Sequence, residues 1–363
     1  MKGKYKALWL DNHENLVVID QRVLPFKEST ITIKTAKDTV DAIYNMTVRG
    51  AGVIGDVAAF GVYLAAREVD ADIEKLQKLA TDIRKSRPTA VNLMWAVDRM
   101  MNFAKNIQSL NKKQFIEALK NEAIKITDED SIRSQQIANF GADIIEEIMQ
   151  KNKLKSFNVL THCNAGWLAI VDKGSALAPI YEAHERGINI HVWVDETRPR
   201  NQGANLTAWE LLKAGIKHTV IVDNVGGHLM QHGMVDMVIT GADRVAKSGD
   251  SANKIGTYLK ALAAKDNNIP FYIAIPASTF DFGITKGVKE IPIEIRDDEE
   301  VKYIRGIDEQ GNLKKIQIVQ TESKAINYSF DVTPAKLITG LITERGVCQP
   351  NVEAVSKMFK DLI

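Results

Sequence analysis

The sequence predicts an α/β protein with a smaller N-terminal domain of strands and helices, residues 1–150, followed by a doubly wound C-terminal domain, residues 151–363. Three observations carry this reading. The chain of 363 residues is long for one small core and suits two domains. Its first part changes from β-branched runs to helical spacing near Asp38. From Val159 onward, short apolar runs alternate with helical stretches, the rhythm of a parallel sheet wound with right-handed crossovers.

Taken in order, Tyr5–Asp11, Leu16–Val23 and Ser29–Thr35 read as a β-meander, with turn chemistry at Asp11-Asn12 and at Pro25. Val40, Ile43, Tyr44 and the run Val57–Val69 then place apolar groups on helix faces. Further helices are expected near 73–84, 90–105, 113–126 and 129–150. The charged stretch Lys151–Ser156 marks the domain boundary. Beyond it Val159–Thr161, Ile190–Val194, Thr219–Asp223, Met237–Thr240 and Phe271–Ile275 suit buried strands. Ala176–Arg186, Ala208–Ala214 and Ile255–Asn267 suit the intervening helices. Residues 303–325 are highly charged around Gln310-Gly311-Asn312 and predict an exposed hairpin or loop.

Composition narrows the partners. Hydrophobic residues make up 45% and charged residues 26%, as in ordinary soluble proteins. With 47 basic and 46 acidic residues the net charge is +1, so no general field draws in nucleic acid or an acidic membrane. Any anion site is therefore local. No stretch approaches the ~20 apolar residues that cross a bilayer, and no apolar signal core follows the basic Met1–Tyr5. Cys163 and Cys348 are the only cysteines, which excludes a disulfide framework and points to a reducing cytoplasm.

Ligands in doubly wound domains gather at the carboxyl ends of the strands. There the sequence places His162-Cys163-Asn164, Asp195-Glu196-Thr197, Asp223-Asn224 and Gly241-Ala242-Asp243. Cys163 is either a small core residue or a thiol facing the crevice, where an adjacent helix N-terminus would favour its thiolate. A strand continuing through both residues would turn His162 to the opposite face and rule out a Cys–His dyad. Asp243 is either a turn cap or, beside apolar surface, a carboxyl that keeps and donates a proton. Lys254, read as lying at a helix start with Asn253 before it, would favour an anion.

Earlier in the chain, Gly50-Ala51-Gly52-Val53-Ile54-Gly55 matches the dinucleotide fingerprint. That motif should follow a buried strand, whereas Asp38–Met46 reads as helix. The glycines then either let helices approach closely or open a helix whose N-terminus, with Arg49, binds a phosphate; the phosphate reading is preferred. Ser86-Arg87-Pro88-Thr89 sets a second arginine before a helix, as a bidentate anion clamp or a merely solvated residue. His228 and His232 share a helix face but lack the glutamate and third ligand of a zinc site, so no metal is expected.

Several of these pieces together resemble the methylthioribose-1-phosphate isomerase family, part of a wider group that includes the regulatory subunits of translation initiation factor 2B. The matching stretches are Val48–Ala51, Ser86–Leu93, Thr161–Gly166, Asp195–Pro199, Gln202–Ala204 and Leu206–Leu211. They continue with Gly241–Arg244, Gly249-Asp250, Ala252–Thr257, Phe330–Pro334 and Ile342–Val347, in collinear order over nearly the whole chain. The resemblance implies a Rossmann-like catalytic domain, a homodimer, no cofactor, and a role in methionine salvage. It makes Cys163 and Asp243 the catalytic pair. Arg49, Gly50, Ala51, Arg87, Gln202, Asn253 and Lys254 would contact the sugar phosphate.

The implied reaction is aldose–ketose isomerisation of a pentose 1-phosphate, whose phosphorylated anomeric oxygen blocks free ring opening. Asp243 would protonate the ring oxygen, and Cys163 would act as base or transition-state stabiliser at C1 and C2. A hydride shift in an apolar pocket is the alternative. Related isomerases take 5-deoxyribose 1-phosphate or ribose 1,5-bisphosphate, and Asp56 would disfavour a second phosphate if it faced the pocket. Two other classes stand beside these: a non-catalytic initiation-factor-like regulatory subunit, and a nicotinamide dehydrogenase resting on the glycine motif alone.

Overall fold

The computed structural model describes residues 4–87 and 90–363. Pro88 and Thr89 of the expected anion clamp, and Met1–Gly3 of the basic N-terminus, lie outside the described residues. The chain forms two compact units. One takes the residues up to Val23, Glu28–Gln135 and Gly166–Gly174; the other takes Leu24–Lys27, Gln136–Ala165 and Ser175–Ile363.

The first unit opens with the expected meander: β1 (Leu8–Leu10), β2 (Leu16–Ile19) and β3 (Thr30–Ile33) pair antiparallel in that order. Helix α1 (Ala36–Tyr44) starts at a reciprocal cap, in which Thr35 Oγ1 accepts the Asp38 N–H and the Asp38 carboxylate accepts that of Thr35. Helix α2 (Ala51–Glu68) is apolar on all sides and buried from Gly52 to Ala66. It can be so because α1, α3 (Ile73–Lys85) and α4 (Val91–Asn106) pack around it. Helix α3 shows the one-faced alternative, burying Leu76, Ala80 and Ile83 at helical spacing.

One expectation fails here. The two helices read at 113–126 and 129–150 are a single 41-residue helix, α5 (Lys112–Asn152). No glycine or proline interrupts Ile126–Glu129, and Thr127 Oγ1 donates back to the Ala123 carbonyl at 3.3 Å, so its polar run stays inside the ladder. The acidic residues at the expected break serve arginines: Arg133 reaches Asp130 at 2.6 Å, and Arg99 reaches Glu129 at 2.6 Å.

The second unit carries the doubly wound sheet. Its strands are β4 (Phe157–Thr161), β5 (Ile190–Asp195), β6 (Lys217–Ile221) and β7 (Met237–Thr240), with α6 (Ala178–Glu185), α7 (Ala208–Lys213) and α8 (Val225–Gln231) between them. A smaller excursion follows through β8 (Arg244–Ala246), β9 (Ser251–Lys254) and α9 (Thr257–Asp266) before β10 (Phe271–Ala274). Next come β11 (Phe280–Asp281), α10 (Gly287–Glu290), β12 (Ile295–Arg296), α11 (Glu299–Lys302), β13 (Tyr303–Ile307) and β14 (Leu313–Gln317). The chain ends through β15 (Asn327–Tyr328), β16 (Phe330–Thr333), β17 (Gly340–Thr343), β18 (Gly346–Cys348) and α12 (Val352–Met358). The main sheet has the order β18-β17-β10-β7-β4-β5-β6, parallel except for β18. Leu160, Val238, Ile273 and Leu341 fill one core at its centre. Strands β13 and β14 pair as an exposed antiparallel hairpin, its turn closed by Asp308 accepting the Asn312 N–H at 2.7 Å.

Candidate functional site

The strand order fixes where a ligand should lie. From β4 the chain runs outward through β5 and β6, then returns to the other side of β4 at β7 and runs outward through β10 and β17. The winding therefore reverses between β4 and β7, which pair in parallel at Val159 with Met237 and Leu160 with Val238. Such a switch point opens a crevice at the carboxyl ends of the two strands. Cys163 follows β4 and Asp243 follows β7, so the two expected catalytic residues flank it.

Strand β4 stops at Thr161, as expected, and does not continue through His162 and Cys163, where Cys163 is left-handed with φ 69°. Cys163 is buried, and its backbone is held on both sides. Its N–H donates to Thr197 Oγ1 at 2.9 Å, and its carbonyl accepts from Thr207 Oγ1 at 2.7 Å. Both threonines belong to the connection after β5. That connection passes through a π-helical turn, Gly203–Thr207, with Gln202 buried at its start. Gly203 is obligatory, since a Cβ there would lie 1.6 Å from the Asp195 carbonyl oxygen. No helix N-terminus adjoins Cys163 in the chain, contrary to expectation; turns run from Asn164 until α6 begins at Ala178.

Asp243 links the main sheet to a smaller one of order β11-β8-β9-β16. It is partly buried, and its N–H donates to the Ala252 carbonyl at 2.9 Å, which sets it beside Asn253. Asn253 and Lys254 do not begin a helix as expected. They end β9, paired across to Asp331 and Phe330 of β16, and both are buried. The strand is favoured because Gly256, left-handed at φ 103°, delays α9 to Thr257. Lys254 thus brings a buried side-chain charge, with its Nζ 5.2 Å from the Phe330 ring centre. Thr257 Oγ1 accepts from Asn253 Nδ2 at 2.9 Å and donates to the Lys254 carbonyl at 2.7 Å. Asp331 accepts the N–H groups of Gly256 and Tyr258, and burial pushes its carboxyl above the ordinary range.

His162 takes no part as a partner of Cys163, although the reason differs from the one expected. Its Nδ1 lies 2.9 Å from Asp195 Oδ2, and its Nε2 donates to the Ile255 carbonyl at 2.9 Å. The ring thus ties the end of β4 to the turn after β9. His162, Asp195 and Asp223 bring ligand-type atoms within 4.8 Å of one another. That cluster is already built around an ammonium: Lys260 Nζ lies 3.0 Å from Asp195 Oδ2 and donates to the Asp223 carbonyl. Asp223's carboxylate oxygens meanwhile accept the N–H groups of Thr197 and Arg198 at 2.7 and 2.8 Å. Just past α8, His232 Nδ1 lies 2.8 Å from the His228 carbonyl.

The remaining expected residues belong to the first unit. Arg49 and Gly50 precede α2 and Ala51 begins it; Arg87 follows α3, and all four are partly buried. Gly50 has φ 90°, and a Cβ there would meet the Ala169 backbone at 2.4 Å. Gly52 and Gly55 likewise leave room for Ile170 and for the Asn92 backbone, so these glycines do serve close approach. The Val53 N–H at the start of α2 donates to the Ala169 carbonyl at 2.9 Å. The element directly before the motif is the helix α1 and not a strand, so the context of a dinucleotide fingerprint is missing. Asp56 is buried within α2, where burial and the charge of Asp130 on α5 raise its carboxyl well above the ordinary range.

Sequence reasoning placed Thr197 at the carboxyl end of its strand without giving it a role, and missed Thr207 and Lys260 as site-forming residues. The signal for Lys260 was a lone cation on the face of α9 that buries Thr257, Ala261 and Ala264. At the carboxyl ends of β5 and β7, Asp195 Oδ1, Asn201 Oδ1, Gln202 Oε1 and Thr240 Oγ1 are buried without a protein partner among the described residues. Each such atom costs roughly 1–3 kcal/mol. Open acceptors in these positions suit a ligand that brings hydroxyl groups.

Comparison with known proteins agrees with this architecture. The model of the initiation factor 2 subunit family matches residues 46–350. A methylthioribose-1-phosphate isomerase of Sulfurimonas denitrificans is 61% identical, over 99% of this chain and 100% of its own. Among solved structures, a 5-methylthioribose 1-phosphate isomerase from Pyrococcus horikoshii is 35% identical with a TM-score of 0.85, over 99% of this chain and 97% of that one. A structure described as the delta subunit of translation initiation factor eIF-2B from A. fulgidus is 39% identical with a TM-score of 0.83, over 98% and 100%. The chain belongs to the initiation factor 2 subunit family, among its methylthioribose-1-phosphate isomerases.

Proposed function

We propose that this protein converts 5-methylthioribose 1-phosphate to the corresponding ribulose 1-phosphate, as an aldose–ketose isomerase of methionine salvage. The observation that carries the site is the placement of Cys163 and Asp243 after β4 and β7, the strands on either side of the switch point. Asp243 protonates the ring oxygen as the C1–O bond opens. Cys163 serves at C1 and C2, as the base or by stabilising the transition state. Gln202, Asn253 and Lys254 bind the substrate from the same unit, and Lys254 supplies buried charge for the phosphate. Arg49, Gly50, Ala51 and Arg87 are assigned to the substrate by family resemblance alone. The protein works as a cytoplasmic homodimer without a cofactor. Among the described residues, no helix is long and apolar enough to cross a membrane.

The initiation-factor reading has one specific support, the description of the A. fulgidus structure. A regulatory subunit has no need of both Cys163 and Asp243 in matching motifs, which favours the enzyme. The test is turnover of a panel of pentose 1-phosphates that differ only at C5: methylthio, hydrogen and phosphate. Fastest turnover of the methylthio compound is expected. Preference for the 5-deoxy or bisphosphate compound would reassign the substrate, and no turnover of any would leave the binding-subunit reading. Deuterium from solvent appearing at C1 of the product is the expected sign of proton transfer; its complete absence would select the hydride shift.

A further inference from the structure

We infer that Thr197 and Thr207 are positioning residues for Cys163, a role that rests on the catalytic reading of that cysteine. Cys163, with φ 69°, lies in a backbone region that residues other than glycine adopt at a cost. Thr197 is itself left-handed at φ 65°, and for a β-branched residue that is a genuine outlier. Asn201, at φ 55°, is a third left-handed residue in the same stretch. Strain gathered in this way persists only where surrounding bonds over-determine it.

The bonds that do so run to the Cys163 peptide groups. Thr197 Oγ1 accepts the Cys163 N–H at 2.9 Å and donates its own proton to the Asp195 carbonyl at 3.0 Å. Thr207 Oγ1 donates to the Cys163 carbonyl at 2.7 Å and accepts from Asn164 Nδ2 at 3.2 Å. Each hydroxyl therefore gives one proton and takes one, a pairing that threonine or serine can complete and valine cannot. The network continues one layer outward. Asn164 and Tyr181 both donate to the buried Glu210, at 3.0 and 2.8 Å, while Asp223 fixes the Thr197 N–H at 2.7 Å.

The placement of the two threonines also matters. They lie on either side of Gln202, with Thr207 ending the π-helical turn, so the segment expected to touch the substrate is the one that holds both sides of the Cys163 backbone. π-helical turns are frequent at functional sites. Here the turn brings Thr207 back to the same residue that Thr197 grips. Loss of either hydroxyl bond would let the Cys163 backbone turn and re-aim the thiol, while Asn253 and Lys254 stay on β9. Misalignment of that kind lowers the chemical step more than it lowers binding.

The experiment is steady-state kinetics on Thr197→Val and Thr207→Val, each beside its serine counterpart, with Cys163→Ser as a separate control. We expect each valine variant to lose about tenfold or more in kcat with KM within about twofold. Each serine variant should stay within about threefold of wild type, because the hydroxyl and its two bonds remain. Valine variants that melt like wild type and keep kcat within twofold would overturn the inference. Equal losses in kcat from the valine and serine variants would overturn it too. Should the valine variants fail to fold, amide exchange of Cys163 in the wild-type protein decides. Strong protection of that N–H is expected, and free exchange would mean that Thr197 does not hold it. If Cys163→Ser itself turns over like wild type, the catalytic reading of the cysteine is what fails. A dead Cys163→Ser beside fully active valine variants would leave that reading intact and remove only the positioning role.

Discussion

At the scale of single residues, Asp243 offers the sharpest contrast between a structural and a chemical role. Its N–H is tied to the Ala252 carbonyl, so the backbone turn is maintained whatever side chain the position carries. Asparagine keeps the shape of aspartate and caps turns as well, but it cannot deliver a proton to a ring oxygen. Asp243→Asn should therefore bind substrate and melt normally while turnover falls by orders of magnitude. Turnover within a few-fold of wild type would reduce Asp243 to a loop residue. Lys260 poses the complementary question, because its ammonium supplies the positive charge among His162, Asp195 and Asp223. Treatment with a chelator followed by exhaustive dialysis should leave activity intact. Lys260→Met would strand the fully buried Asp195 carboxylate, at a cost of roughly 3 kcal/mol, read as a lower urea midpoint. Activity that disappears with chelator and returns with a divalent ion would contradict this account.

Between elements, the most consequential contact the sequence did not disclose is Asp56 of α2 against Asp130 of α5. Asp56, expected to disfavour a second phosphate if it faced the pocket, is fully buried among the apolar residues of α2. Burial first, and then the neighbouring Asp130, hold its carboxyl well above the ordinary carboxylate range; Thr127 and Arg133 oppose this, and Asp128 adds to it. In the unfolded chain that carboxyl ionises near its ordinary value, so above that pH the unfolded state releases a proton the folded state keeps. Stability must then fall as pH rises from about 4 towards the folded-state value, by up to roughly 1.4 kcal/mol per pH unit. Asp56→Asn removes the titrating group. Its melting temperature relative to wild type should climb as the pH is raised from 4 to 8. A constant difference across that range would show that Asp56 ionises alike in both states. The same pair shows why α5 was misread: Thr127, Asp128 and Glu129 look like a helix start in isolation. Only their partners on α4 and α2 reveal them as mid-helix polar contacts.

For the whole molecule, what the sequence disclosed and what it hid divide by physical cause. Alternating apolar runs report a buried parallel sheet directly, because strands covered on both faces admit little else. The strands β4, β5, β7 and β10 accordingly lie within a residue or two of their expected bounds. Cys163 and Asp243 were visible because the carboxyl edge of such a sheet is where ligands bind. The threonine bonds to Cys163, the ammonium of Lys260 and the strand at Asn253-Lys254 were not visible. Each depends on contacts between segments that lie tens of residues apart in the chain. Charge balance was legible from composition alone, and it yields a prediction for the protein as one body. With 47 basic and 46 acidic residues, many of them in exposed pairs such as Lys37 with Asp41 and Arg84 with Asp98, the chain presents little net field to an approaching phosphate ester. Capture of the anion then depends on groups it touches, which salt screens far less than distant ones. Raising ionic strength from about 50 to about 300 mM with a non-competing salt such as sodium chloride should lower kcat/KM by no more than about threefold. A decline beyond tenfold, with kcat unchanged, would instead reveal long-range steering by a basic surface that the balanced totals conceal.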